Sequence, residues 1–65
     1  MNHQWDAKFS GRFVNAISRR VDNDFTKHRI TVFENDREDA IKEVVRQAKL
    51  YGYCDVTVDH ITKVW

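Results

Sequence analysis

One stretch of this chain declares itself as an amphipathic helix, and everything else must fold around it. Ala40, Ile41, Val44, Val45 and Ala48 recur at three- and four-residue spacing, which makes one apolar stripe. The spacing predicts a helix over Arg37 to Tyr51. Asn35 is placed to cap it, with Glu38 three residues on to complete a capping box. Asp36, Glu38 and Asp39 gather in the first turns and Arg46 and Lys49 near the end, as the helix dipole favours. Gly52 stands where a left-handed C-terminal cap is expected.

Three stretches read as strands. Arg12 to Arg20 is the first, with Phe13, Val14, Ile17 and the adjoining Val21 as β-favouring side chains, followed by a turn at Val21-Asp22-Asn23-Asp24. His28 to Glu34 is the second, with Ile30 and Val32 on one face and Thr31 and Phe33 on the other. Tyr53 to Val64 is the third, with Val56 and Val58 alternating against Asp55, Thr57 and Asp59. Residues 1–10 are left as an irregular N-terminal segment. The order is strand, strand, helix, strand. A short turn makes the first two strands antiparallel, and a right-handed crossover makes the third parallel to the second. Placing strand one between them leaves every neighbouring pair antiparallel. The expected architecture is a single α+β domain over 1–65, a three-stranded antiparallel sheet of order 2-1-3 with one helix on one face. The other face stays open.

Length bounds the stability of such a fold. A chain of 65 residues buries only about 60% of the surface that its unfolded form exposes. Cys54 is the only cysteine, so no disulfide forms within the chain, and a lone thiol fits a reducing compartment. No apolar run reaches the roughly 18 residues of a membrane span, and Met1-Asn2-His3-Gln4-Trp5-Asp6 lacks the basic start and apolar stretch of a signal peptide. The expectation is a cytoplasmic protein with no membrane partner.

The chemistry-bearing residues do not assemble into a catalytic set. Cys54, His28 and His60 are candidates for nucleophile and base, but Cys54 and His60 lie on the order of 20 Å apart along one strand. Cys54 therefore reads as a buried structural cysteine, packed as a small hydrophobe. Asp55, Asp59, His60 and His3 lack the close spacing of a metal site, and Gly11 and Gly52 are too isolated for a phosphate cradle. No enzyme activity, metal or cofactor is expected.

What remains is surface. Residues 1–31 carry a net +3 and residues 32–65 a net −2, within an overall +1. Arg12, Arg19, Arg20, Lys27 and Arg29 fall on the first hairpin, interleaved with Phe9, Phe13 and Phe25, a mixture that could meet phosphates and bases. Against that, consecutive Arg19 and Arg20 would point to opposite faces of a strand, and Asp22 and Asp24 sit at the hairpin tip. Trp5, Phe9, Phe33, Tyr53 and Trp65 do not all fit under one short helix; Trp5 either caps the uncovered face or stands exposed. Trp, Tyr and Arg lead the residues of interface hot spots. Arg12, Arg19, Arg20, Arg29, Phe33, Trp5 and Trp65 are accordingly the expected partner-binding residues. The favoured partner is a larger protein; nucleic acid on the basic hairpin, or a second copy of the chain, are the alternatives.

The stretch from Phe13 to Val64 resembles small phage-encoded host-takeover proteins, such as the podovirus inhibitor of bacterial RNA polymerase and compact anti-CRISPR proteins. The layout carries the likeness: a hairpin ending in Ile30-Thr31-Val32-Phe33, then Asp36-Arg37-Glu38-Asp39-Ala40-Ile41, then Asp55-Val56-Thr57-Val58. The resemblance implies a three-stranded sheet with one helix, and inhibition of a host enzyme by occupying its surface through Arg and Glu side chains on the sheet. No individual residue is assigned a role by it.

Overall fold

The computed structural model describes residues 2–65. Its elements are β1 (His3–Phe13), β2 (Thr26–Glu34), α1 (Arg37–Leu50) and β3 (Tyr53–Lys63), with the sheet ordered β2-β1-β3. Both pairings are antiparallel. This is the expected α+β arrangement, reached with a different first strand.

β1 is His3–Phe13, not Arg12 to Arg20, and residues 3–10 form the central strand rather than an irregular segment. The physical reason is alternation. Trp5, Ala7, Phe9 and Gly11 are buried, while Asp6 and Lys8 between them are exposed. Ala7 and Gly11 are poor strand formers alone, but here they floor the space beneath the helix. Gly11 is held to that size: a Cβ there would lie 3.3 Å from the Cys54 carbonyl oxygen and from Tyr53 Cβ.

Residues 14–25 become the hairpin connection. Val14 and Val21 form an isolated bridge, and the Asp22 amide donates to the Phe13 carbonyl at 2.9 Å. Beyond it Asn15 organises the tip: its Oδ1 accepts from the amides of Ile17 at 2.9 Å and Ser18 at 3.0 Å. Arg19 takes a left-handed φ of 58°.

The helix packs where expected. Its N-cap is Asp36, one residue after the predicted Asn35, and the Asp36 side chain accepts from the Asp39 amide at 2.9 Å. Ala40, Val44 and Ala48 are fully buried, while Ile41 and Val45 flank them half-buried. Two of the three central contacts are alanine, so the helix lies close to the sheet. The core is small: these three join Trp5, Ala7, Phe9, Val32 and Ile61. Gly52, with φ 99°, ends the helix, and its carbonyl accepts from the Val14 amide at 2.7 Å. That bond ties the helix exit to the base of the hairpin extension.

Candidate functional site

The face of the sheet away from the helix is laid out by register. Reading across β2, β1 and β3, the rows are Thr31–Asp6–Thr62, then Arg29–Lys8–His60, then Lys27–Ser10–Thr57. Gln4 opposite Phe33 closes one end, and Arg12 opposite Cys54 closes the other. Every central side chain is polar or charged. Asp6, Lys8, Lys27, Arg29, Thr31, Thr57, His60 and Thr62 are all exposed.

β3 keeps this layout through two irregularities. Lys8 pairs with His60 and Phe9 with Val58, so Asp59 is an extra residue. Between Ser10↔Thr57 and Arg12↔Cys54, β3 advances one residue more than β1, and Asp55 there has a left-handed φ of 53°. These are β-bulges. They let Val56, Val58 and Ile61 all reach the helix side while Cys54, Thr57 and His60 reach the open side.

The carboxylates of the open face are already engaged. Asp55 pairs with Arg12, whose Nε donates to Oδ2 at 2.9 Å. The Asp55 hydrogen bond raises the pKa of the Arg12 guanidinium, with a smaller contribution from the neighbouring Cys54. The same guanidinium lies 5.5 Å from the centroid of the Phe25 ring, so Arg12 clamps the loop to the sheet. Asp59 accepts a short hydrogen bond from Ser10. Asp6 accepts from Thr31 at 3.1 Å.

The cations at the centre are not so engaged. Among the described residues the only ion pairs are Arg12–Asp55 and Arg46–Glu43, which leaves Lys8, Lys27 and Arg29 without one. Lys8 and Arg29 stand directly opposite each other on neighbouring strands. Like charges so placed are destabilising.

The expected partner residues therefore scatter. Arg29 is exposed at the centre of the open face, and Phe33 is exposed at its end. Trp65 is also exposed, with its Nε1 donating to Gln4 Oε1 at 2.9 Å, so it joins Phe33 around Gln4. Arg12 is on the same face but committed to Asp55. Arg19 and Arg20 lie in the hairpin tip rather than on a strand, so the argument that they point to opposite faces does not apply. Trp5 is neither exposed nor a cap on the open face: it is buried under the helix, its Nε1 donating to the Glu34 carbonyl at 2.9 Å. Lys8 was missed. Its signal is its place between Ala7 and Phe9, two residues whose burial turns its own side chain outward.

Cys54 is half-buried at the end of the open face rather than buried in the core. It shares that face with His60, and the two pair with residues four apart on β1, about 13 Å at strand rise. His28 lies on the covered face, its ring 4.5 Å from that of Tyr53, so the sheet itself separates it from Cys54. Among the described residues no group of three or more His, Cys, Asp or Glu side chains is placed to hold a metal ion. Nor, among the described residues, is any helix long and apolar enough to cross a membrane.

Comparison with protein-family models, with curated proteins and with solved structures gives no match.

Proposed function

We propose that this protein is a non-enzymatic docking module that binds an acidic surface of a larger protein through the open face of its sheet. The row Arg29–Lys8–His60, with Lys27 beside it, carries the reading. Setting Lys8 against Arg29 costs a small domain some stability. Carboxylates from a partner offset that cost. Arg29 is the best placed to bind them, since its planar guanidinium bonds a carboxylate through two parallel donors.

A protein fits this face better than nucleic acid. Asp6, Asp55 and Asp59 interrupt the cations, so the face lacks the continuous positive track that a phosphate backbone follows. A few carboxylates of a protein surface, by contrast, need meet only Lys8, Lys27 and Arg29. Phe33 and Trp65 sit at one end, so no series of rings follows the basic row for bases to stack on.

Affinity capture from bacterial lysate, followed by calorimetry with the captured protein, tests this. Arg29→Glu and Lys8→Glu, each confirmed as folded by circular dichroism, are expected to weaken binding by about 2 kcal/mol or more, the hot-spot scale. Lys42→Glu, on the exposed side of the helix, is expected to leave binding unchanged. Filter binding with single- and double-stranded DNA and RNA provides the opposing outcome. Retention that falls steeply with salt, without a protein partner sensitive to Arg29→Glu, would overturn the reading.

A further inference from the structure

We infer that the free edge of β2 is a strand-acceptor site, taking an extended segment that alternates acidic and apolar side chains. This deepens the reading above by naming the partner's element, and it rests on that reading for the cations alone.

The first observation is that the two sheet edges differ. β3 carries both bulges, at Asp55 and Asp59, which break the run of evenly spaced backbone groups a new strand needs. β2 pairs with β1 without a shift from His3↔Glu34 to Gly11↔Thr26, so its outer edge is regular over nine residues. Its unpaired N–H and C=O groups are a template for strand addition.

The second observation is a groove of about 550 Å³ beside that edge. Its lining takes four consecutive β2 residues, His28 to Thr31, together with Gln47 of α1, Tyr51 at the helix C-cap, and Phe9 and Tyr53 from the other two strands. A strand laid against β2 points alternate side chains toward the helix side, and those side chains enter this groove.

The third observation is charge. The other set of side chains from an added strand falls on the open face beside Lys27 and Arg29, with Lys8 one strand further in. Cross-strand neighbours of opposite charge are favourable there. A second copy of this chain is the wrong occupant, since pairing β2 with its own copy gathers both pairs of Lys27 and Arg29 at one seam.

The probe is a capped synthetic peptide about the length of β2, with aspartate alternating with valine and leucine. Three controls accompany it: a peptide of the same composition with its aspartates in one block, and two versions of the alternating peptide, each N-methylated at one of the two alternate sets of amides. Fluorescence polarisation reads affinity, and hydrogen exchange reads protection of β2 amides. The alternating peptide is expected to bind at least about tenfold more tightly than the block peptide, and to lose at least about tenfold on N-methylation of the set of amides that face β2. Arg29→Glu should cause a comparable loss, and binding should slow exchange in β2 but not in β3. Equal affinity for the alternating and block peptides would overturn strand addition. So would binding that survives N-methylation of both sets of amides, each tested in its own peptide; that result leaves open-face docking standing, because side-chain contacts alone would then suffice.

Discussion

Trp5 shows how much of this molecule rests on single side chains. Its ring belongs, among the described residues, to a core of eight buried side chains, three of them alanine. Truncating it to alanine should cost about 3–5 kcal/mol, most of the stability a domain this small possesses. Trp5→Phe keeps the ring but leaves the Glu34 carbonyl without its donor, and should cost about 1 kcal/mol. Urea denaturation followed by circular dichroism separates the two; equal, small losses would show that the ring is not central. The sequence already contained the sign of this burial. Polar Gln4 and Asp6 on either side make Trp5 look like a surface residue, whereas that flanking is what a half-buried strand produces. Ala7 and Gly11 mute the alternation, and Phe13, Val14 and Ile17 draw attention to residues that turn out to be linker, with Ile17 itself 96% exposed.

At the scale of elements, legibility follows how local the cause is. The helix was legible because its stripe, acidic start and terminal glycine all lie within one stretch. The N-cap differed by one residue because Asn35 and Asp36 are chemically equivalent caps, and only the chain's direction of entry chooses between them. The open face and the place of Arg29 followed from topology. The bulges of β3 were not legible, since Asp55 and Asp59 fit a plain alternating strand equally well and only pairing with β1 exposes the surplus. On the helix, Glu43 accepts from Arg46 Nε at 2.8 Å and from Gln47 Nε2 at 3.1 Å. The Arg46 and Gln47 hydrogen bonds together hold the Glu43 carboxyl below the usual glutamate range. A lowered folded-state pKa means that the ionised form favours the fold. Its contribution is complete above the ordinary glutamate range and disappears as pH falls through the lowered value. Glu43→Gln should therefore lose less stability than the parent on acidification into that range. Denaturation midpoints taken across mildly to strongly acidic pH check this, and identical slopes would show that the pairing contributes nothing.

For the whole molecule, the two edges of the sheet set how many neighbours it can have. A strand-shaped protein with two regular edges is bifunctional, like a monomer in a condensation polymer, and can extend without limit. Asp55 and Asp59 remove one of those functions, so a segment that joins β2 meets a molecule unable to pass the pairing on. The protein is then a chain terminator, with a valence of one. Deleting both residues would leave every other β3 side chain on its present face, because each bulge is surplus to the register that surrounds it. The shortened strand would have a plain edge, and the molecule a valence of two. Analytical ultracentrifugation should find the double deletion forming open-ended, concentration-dependent assemblies in buffers where the parent stays discrete. Should the deletion variant stay as discrete as the parent, the charge of Lys27 and Arg29 would be guarding the sheet without help from the bulges.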